Sequence, residues 1–480
     1  MQKARVKRVG ALLVGLSLTA AACGSDDTAS ETVDSVTPDD TTMDTEMTED
    51  TAMTEDTTMD TTMDTEMTDD TAMTEDTTMD TEMTDDTAMT EDTTATGSTG
   101  AAADGTLTIG GILPETGNLA FLGPPEIAGV NLAVQDINEA GGVLGNDVEY
   151  LPGDSGDNGE VANATVDRLL AQDVDAFIGA ASSGVSFTVI DKITQAGKIH
   201  FSPANTSPNF TDYDDNGLYF RTAPSDVIQG AALADLLIED GRATVAYLVL
   251  NDAYGLGLLE FSSGPYTEQG GEVVEEQIYD PKAENFDAEV GAVLAANPDA
   301  VVVIGFEETS KILTSLFEGG ITADRIYGTD GNMGNALAAN FDDPSVVAGM
   351  KGTLPGVDVN SLGDFRDQLL EVDPALEDFS YSAESYDAIV VMALAAAVAG
   401  TDDGVAVAAE INDVTRGGEK CTTYADCLAL AEAGTDFDYD GVSGPLEFID
   451  EGEPSQASIL ILEFDETGTL QTIGSTEGSL

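Results

Sequence analysis

The stretch "LTIGGILPETGNLAFLGPPEIAGVNLAVQDINEAGGVLG" (Leu107–Gly145) combines two kinds of apolar spacing. It opens with a continuous β-like run, Leu107–Leu113, and continues with "EIAGVNLAVQDINEA" (Glu126–Ala140), in which apolar residues recur at helical spacing. Strands that alternate with helices predict an α/β fold of parallel sheets covered by helices. Further β-like runs occur at Val148–Leu151, Ala176–Gly179, Ile199–Ser202, Thr244–Leu250, Ala300–Ile304 and Ile326–Gly328.

The α/β part of the chain is too long for one compact core, so we expect two doubly wound lobes. Three segments with Gly or Pro are the predicted crossings between the lobes: "RTAPSD" (Arg221–Asp226), "GTLPGVD" (Gly352–Asp358) and "GVSGPLEF" (Gly441–Phe448). They divide residues 104–480 into a first lobe of about 104–224 and 356–443 and a second lobe of about 225–355 and 444–480. A cleft is expected between the lobes.

The N-terminus has the features of an export signal. Four basic residues, Lys3, Arg5, Lys7 and Arg8, precede a short apolar run and the small residues of "TAAAC", which end at Cys23. The pattern is similar to a lipobox, in which the cysteine is lipidated and becomes the mature N-terminus. We therefore expect a signal peptide at 1–22, and a protein held by lipid on the outer face of the cytoplasmic membrane, in the cell envelope. The alternative is an ordinary signal peptide that is cut elsewhere.

Residues 23–103 have the composition of a disordered tether. The segment repeats Thr, Asp, Glu, Met and Ala, as in "TEDTTMDTEMTDDTAMTEDTT", and from 25 to 100 it has no aromatic or basic residue. Such a segment buries too little apolar surface to offset its chain entropy. We interpret it as a spacer between the membrane and the lobes. Its ten Met residues, Met43 to Met89, leave soft-metal binding as the alternative.

The remaining composition argues against several function classes. With 91 acidic and 16 basic residues, the chain lacks the basic surface that nucleic-acid binding needs. Cys421 and Cys427 are expected to form a disulfide in an oxidising compartment, and with the single His200 they do not complete a metal site. No nucleophile elbow, P-loop or dinucleotide fingerprint occurs. We therefore expect a monomeric protein that is not an enzyme and needs no metal or cofactor.

Three loops follow predicted strands, where open α/β sheets bind ligands. "GAASSGVS" (Gly179–Ser186) leads into a helix that Ser182 or Ser183 would cap, and its first amides would attract an anion. "SPANTSPNF" (Ser202–Phe210) offers amides and hydroxyls without any charge, whereas "YGTDG" (Tyr327–Gly331) carries an acid. Together the loops would hold the carboxylate and the ammonium of an α-amino acid.

From about Leu107 to Phe464 the sequence resembles the leucine/isoleucine/valine-binding family of periplasmic binding proteins. The resemblance is carried by Leu113–Gly145, "FIGAASSGVS", "SPANTSP", "NDAYGLG" (Asn251–Gly257), "YDAIVVMALA" (Tyr386–Ala395) and "GVSGPLEF", in the same order and with similar spacing. It implies two α/β lobes joined by three crossings, and capture of a solute for the permease subunits of an ABC importer.

The resemblance also implies roles for individual residues. Ser183 would bind the ligand carboxylate, Ala204 and Thr206 would contact both ends of the head group, and Asp330 would hold the ammonium. The aromatic residues that it places around the ligand are Tyr254, Phe121 and Phe306. The implied ligand is an amino acid, branched-chain or similar.

The sequence departs from the family at three points that bear on the ligand. Asp330 is one methylene shorter than the usual Glu, and Asp154 and Ser182 stand near the positions of a disulfide found in some relatives. Glu307 and Glu308 directly follow Phe306, and a buried unpaired acid there would disfavour an aliphatic ligand. Two alternatives stay open: a sensing module for a signalling partner, and a binder of amide or urea-type solutes, which Asp330 argues against.

Overall fold

The structure, a computed structural model, describes residues 103–480. The predicted signal peptide, Cys23 and nearly all of the predicted tether lie outside these residues. The strands, in chain order, are β1 (Thr108–Ile112), β2 (Glu149–Leu151), β3 (Ala176–Gly179), β4 (Ile199–Ser202), β5 (Tyr219–Arg221), β6 (Thr244–Leu250), β7 (Glu272–Tyr279), β8 (Ala300–Ile304), β9 (Ile326–Gly328), β10 (Lys351–Pro355), β11 (Glu419–Cys421), β12 (Phe437–Tyr439), β13 (Gln456–Phe464) and β14 (Leu470–Ser479).

Helices connect most of these strands. The α-helices are α1 (Gly123–Glu139), α2 (Gly159–Leu170), α3 (Ser183–Gln195), α4 (Asp226–Glu239), α5 (Ala253–Glu268), α6 (Asp287–Ala296), α7 (Thr309–Glu318), α8 (Asn335–Ala339), α9 (Gly363–Val372), α10 (Ser382–Ala399), α11 (Gly404–Ile411) and α12 (Tyr424–Glu432). Several begin at side-chain caps that satisfy free amides of the first turn, such as Asn158, Ser182, Ser225 and Asp252.

The first lobe contains a five-stranded parallel sheet in the order β2–β1–β3–β4–β5. The direction of winding changes between β1 and β3, and the crevice at such a switch point is where open α/β sheets bind ligands. The loops after β3 and β4 lie at this edge. The predicted positions of β3 and β4 agree with the structure residue for residue.

The second lobe contains a seven-stranded sheet in the order β14–β13–β10–β9–β8–β6–β7. Strands β6 to β10 are parallel, which matches the predicted fold class. The hairpin of β13 and β14 pairs antiparallel with β10 and was not predicted. Strand β14 is exposed along nearly its whole length, so it has no apolar pattern from which a buried strand could be inferred.

After β10 the chain returns to the first lobe. Helix α10 is buried almost throughout and packs with α1, so that both contribute to one apolar core with β1 and β4. Of the described residues, only Ser382–Ala399 is long and apolar enough to cross a membrane, and 83% of its apolar window is buried within the protein. It is therefore packed as a core helix.

The chain passes between the lobes near each of the three predicted segments. The first lies between the end of β5 at Arg221 and the start of α4 at Asp226, and the second follows Pro355. The third differs, because Leu446 and Phe448 are buried in the first-lobe core. The chain therefore leaves the first lobe between Phe448 and Gln456, later than the predicted segment Gly441–Phe448.

A small parallel sheet of β11 and β12 lies beside α12 in the first lobe. Cys421, at the end of β11, and Cys427, in α12, form a disulfide. The neighbouring carboxylates Asp438, Asp440 and Glu447 have oxygens within 4.8 Å of one another. The ammonium of Lys420 lies 2.8, 2.9 and 2.7 Å from them, so a side-chain cation already lies among these acids.

Candidate ligand-binding cleft

The predicted site residues meet where the two lobes face each other. Five of them, Ser183, Ala204, Tyr254, Phe306 and Asp330, line one cavity of about 10 Å³. This space is barely enough to admit one water molecule, so the lobes are close together here. The other residues that line the cavity are Leu119, Leu122, Ala181, Ser182, Gly331 and Tyr381.

The two remaining predicted residues lie beside this cavity. Thr206 is buried near its base but does not line it. Phe121 lines a neighbouring cavity of about 310 Å³, which shares Phe306 and Gly331 with the first. A small inner space and a larger outer one are therefore contiguous between the lobes.

The loop after β3 presents the start of a helix to the cleft. Ser182 is the cap of α3, because its side chain accepts a hydrogen bond from the amide of Val185 at 3.3 Å. Ser183 is thereby left as the first helical residue, and its Oγ accepts from the amide of Ser207 at 3.3 Å. The positive end of the α3 dipole points at the cavity and favours an anionic group there.

The loop after β4 is fixed by neutral hydrogen bonds. The side-chain amide of Asn205 donates to the carbonyl oxygens of Ala180 and Ala181 at 3.0 and 2.8 Å. The hydroxyl of Tyr219 donates to Asn205 Oδ1 at 3.0 Å, and Ser202 Oγ donates to Ala180 O at 2.8 Å. These uncharged side chains therefore join the loop after β4 to the loop after β3.

Asp330 is a buried carboxylate with neutral partners. Its Oδ1 accepts from Gln229 Nε2 and from the Tyr254 hydroxyl, both at 2.8 Å, and its Oδ2 accepts from the Tyr381 hydroxyl at 2.8 Å. Burial raises the pKa of Asp330 above its ordinary value, and these three hydrogen bonds partly offset the shift. A carboxylate desolvated in this way attracts a cationic group.

A second carboxylate near the site was missed by sequence reasoning. Asp226 is fully buried at the start of α4, and its charge interacts with that of Asp330. Within residues 103–480, Asp226 Oδ1 and Oδ2 and Thr206 Oγ1 have no hydrogen-bond partner. Burial, followed by the charge of Asp330, raises the pKa of Asp226 well above its ordinary value. These unpartnered atoms make the base of the cleft able to bind a hydrogen-bond donor.

Sequence reasoning placed Asp226 at a crossing and so gave it no chemical role. Its position in the sequence could have indicated a role, because Ser225 caps α4 and the side chain of Asp226 is therefore not needed as the cap. Gln229, one turn further along α4, was missed in the same way. Tyr381 precedes α10 in a left-handed backbone conformation, φ 59°. It is distant from Asp330 in the sequence, and no sequence pattern indicates that the two side chains meet.

The acids that follow Phe306 have different surroundings. Glu307 is exposed and lines the outer cavity. Glu308 is buried and accepts hydrogen bonds from the Tyr279 hydroxyl at 2.8 Å and the Phe306 amide at 3.0 Å. The concern that both acids would meet an aliphatic ligand therefore applies to Glu307 alone, which water can still reach.

Comparison with known proteins agrees with this architecture. The model of the periplasmic binding protein family matches residues 106–469. The chain belongs to the periplasmic binding protein family. The predicted resemblance to leucine/isoleucine/valine-binding proteins is confirmed by several relatives and solved structures.

Two relatives of this periplasmic binding protein illustrate the match. It is 28% identical over 313 residues to an amino acid binding protein of Pseudomonas aeruginosa, covering 64% of this chain and 82% of the relative. It is 26% identical over 360 residues to the chemotactic signal transduction system substrate-binding protein BasB of Halobacterium salinarum, covering 72% and 84%.

Solved structures show the same fold. The leucine binding protein LivK of Thermotoga maritima superimposes with a TM-score of 0.65 at 22% identity, covering 77% of this chain and 98% of LivK. The branched-chain amino acid transporter substrate binding protein LivJ of Streptococcus pneumoniae, solved with isoleucine, gives 0.64 at 22% identity, covering 78% and 100%. The two-lobed fold predicted from the sequence is thus confirmed.

Proposed function

We propose that this periplasmic binding protein captures an α-amino acid between its lobes and delivers it to the permease subunits of an ABC importer. The observation that carries the proposal is the pairing of opposite chemistries across one cleft. Ser183 and the helix start of α3 offer donors for a carboxylate, whereas Asp330 and Asp226 are buried acids with no ion-pair partner among residues 103–480. A zwitterionic head group satisfies both sides at once.

In this proposal the ammonium lies among Asp330, Asp226 and the hydroxyl of Thr206. The carboxylate lies at Ser183 and the backbone around Ala204, and the side chain extends past Tyr254 and Phe306 towards Phe121. Because the inner cavity has a volume of only about 10 Å³, an amino acid enters after the lobes move apart about their three crossings. Closure then desolvates the head group.

The ligand class is an amino acid with an apolar side chain, branched-chain or similar. The relatives named for Leu, Ile and Val and the isoleucine complex of LivJ support this choice. The aromatic pair of Tyr254 and Phe306, with ring centroids 5.7 Å apart, offers an apolar wall. The exposed Glu307 at the rim leaves room for a polar end on the ligand.

A sensing role is the second candidate. The relative BasB is named for a chemotactic signal transduction system, so a similar chain can feed a signalling partner. Both roles use the same ligand capture, because the fold does not determine the partner. Co-purification of the anchored protein with permease subunits, as opposed to a transducer, would separate them.

The amino-acid proposal is tested with ligand analogues that each lack one charge. L-leucine is compared with N-acetyl-leucine, which has no ammonium, and with leucinamide, which has no carboxylate. A ligand that binds only the folded state raises the unfolding temperature by mass action. We expect a clear rise with at least one free amino acid and none with either of its analogues. A rise with N-acetyl-leucine or with a plain amide and none with free amino acids would replace the amino-acid proposal by an acid or amide ligand.

A further inference from the structure

The loop that carries Ala204 and Thr206 is bound from behind by a buried ion pair. Arg221, at the end of β5, is 1% exposed and is the only buried Arg or Lys side chain in the part of the chain that the structure describes. Its Nε donates to Glu453 Oε2 at 2.6 Å, and its Nη2 donates to the same oxygen. Glu453 is 2% exposed and lies in the third crossing.

The same guanidinium reaches the ligand loop. Arg221 Nη1 donates to the carbonyl oxygens of Asn205 and Ser207, at 3.2 and 2.8 Å, which are the residues on either side of Thr206. The other carboxylate oxygen of Glu453 accepts from Thr211 Oγ1 at 2.9 Å, just beyond the loop. One pair of side chains therefore holds the backbone on both sides of Thr206, in addition to the neutral hydrogen bonds of the loop.

The pair also joins two crossings. Arg221 begins the first crossing, and its amide donates to the carbonyl oxygen of Gly452 in the third crossing at 3.0 Å. The second lobe is attached directly beyond both, at α4 and at β13. A change in the backbone of either crossing is thus transmitted to the carbonyl groups that flank Thr206.

Stability alone does not account for this arrangement. A buried ion pair pays a desolvation cost that its attraction roughly balances, so well-packed apolar side chains would stabilise the fold as well. What a guanidinium provides is several donors in a fixed planar fork, which orient carbonyl and carboxylate groups together. The pair fixes the orientation of the loop's carbonyl groups, which apolar residues in its place could not do.

We propose that Arg221 and Glu453 form a positioning pair that orients the loop Ala204–Ser207 for the ligand head group and couples that loop to the first and third crossings. The inference rests on the proposed function of the cleft. Neither residue contacts the ligand in this scheme, since both act through the loop.

The test compares Glu453→Gln with Asp240→Asn in the purified full-length chain. Asp240 pairs with Lys351 at 2.8 Å in the second lobe, so its substitution breaks an ion pair that does not touch the loop. We expect faster amide hydrogen exchange at 204–211 in E453Q and unchanged exchange there in D240N. For L-leucine, we expect the Kd to rise at least tenfold in E453Q and less than twofold in D240N.

Double variants separate positioning from a general loss of stability. In a Thr206→Ala background, E453Q should change the Kd by a clearly smaller factor than in the wild-type background, because one of the positioned groups is already gone. In a Phe121→Ala background it should retain its full effect, since Phe121 lies on another loop. A variant that is merely less stable keeps a normal Kd well below its unfolding temperature.

Two results would overturn the proposal: unchanged exchange at 204–211 in E453Q, or faster exchange with an unchanged Kd. If E453Q does not fold, Glu453→Asp and Arg221→Lys are measured in the same way. Both keep the charges of the pair: the first shortens the acidic side chain, and the second replaces the planar guanidinium by a single ammonium. If no free amino acid binds the wild type, the ligand proposal fails, and the exchange comparison still decides whether the pair orders the loop.

Discussion

At the scale of single residues, the cleft is defined by acids that have only neutral partners. Asp330 receives three hydrogen bonds from Gln229, Tyr254 and Tyr381. Among the described residues, the Asp226 carboxylate is unpaired at hydrogen-bonding distance, with only the neutral Thr206 hydroxyl beside it. Keeping two buried acids next to each other raises the free energy of the empty protein. A ligand ammonium would remove that repulsion, which is why these residues should dominate affinity.

Asp330→Ala is expected to weaken binding of the cognate amino acid by about thirty-fold to several thousand-fold. Removing one partner of a buried, hydrogen-bonded charge pair costs about 2–5 kcal/mol, and each 1.4 kcal/mol is about tenfold. Calorimetry measures the change. The control is Glu307→Gln, which removes an exposed acid at the rim and should change the Kd less than about threefold. Equal affinity of D330A and wild type would mean that the ammonium binds elsewhere or is absent.

Asp226 should make binding depend on pH. Its pKa is raised in the empty cleft, chiefly by burial, and a bound ammonium would lower that pKa again. Binding would then release a proton, so affinity should rise as the pH rises through the raised pKa of Asp226. Asp226→Asn should weaken binding at pH 8 at least about tenfold, roughly 1.4 kcal/mol, and flatten the pH profile. Calorimetry in buffers of different ionisation enthalpy counts the protons, and an unchanged release in D226N would exclude Asp226 as their source.

Some residues of this cleft could be predicted from the sequence, and others could not. The loops after β3, β4 and β9 could be found because ligand loops follow strands, and five predicted residues do line one cavity. Asp226 and Tyr381 could not be found in this way, since each reaches the site through a crossing or a returning helix. Their roles follow from tertiary contacts, which no local pattern encodes.

At the scale of elements, α10 brings a carboxyl group to the crossings. Glu384, in its first turn, is 3% exposed and lines two cavities of about 390 and 180 Å³. The hydroxyl of Thr222 in the first crossing donates to the Glu384 carbonyl oxygen at 2.8 Å. Gly356, in the second crossing with φ 108°, lies so close that a Cβ there would overlap the Glu384 carboxylate. The crossings and α10 therefore have little room to change independently.

Glu384 should make the protein more stable in mild acid. Burial raises its pKa from an ordinary value of 4.5 to about 8. The folded state therefore binds this proton more tightly than the unfolded state, and the resulting stability is present below about pH 4.5 and is lost as the pH rises to about 8. Between these values the loss is at most about 1.4 kcal/mol per pH unit.

Glu384→Gln should reduce this fall in stability, measured by denaturant unfolding at pH 5, 6.5 and 8. Other acids also face this region, namely Glu126 of α1, Asp387 of α10 and the exposed Glu477 of β14, so a residual dependence is expected. Glu477→Gln, at the rim of the smaller cavity, serves as the control and should follow the wild-type curve. If E384Q also follows that curve, Glu384 does not titrate in this range.

The elements themselves were predictable where burial gives a simple pattern. Strands β6, β8 and β9 are buried runs, and their predicted bounds agree with the structure. Strand β7 contains three Glu residues and is mostly half-buried or exposed, and β14 is exposed, so neither has the continuous apolar run that marked the others. The third crossing was placed too early because Gly441 and Pro445 indicate a turn, whereas Leu446 and Phe448 still pack on the first lobe.

At the scale of the whole molecule, charge determines how the protein can stay at a membrane. The chain has a formal net charge of −75. Anionic lipid headgroups repel such a protein, and its few Lys and Arg residues cannot offset this repulsion. Attachment by surface electrostatics is therefore excluded, and attachment by a covalent lipid is the arrangement that the sequence around Cys23 supports.

We accordingly predict that Cys23→Ala releases the protein from the membrane. Two or more acyl chains give stable attachment, whereas one gives only marginal binding, so removal of the lipidated residue should transfer the protein to the soluble fraction. The measurement is fractionation of cells that express each variant, followed by a high-salt wash. Ser25→Ala, two residues away, should remain in the membrane fraction. Because the charge of the chain disfavours attachment by surface electrostatics, retention of C23A after the wash at the level of the wild type would contradict the lipid anchor.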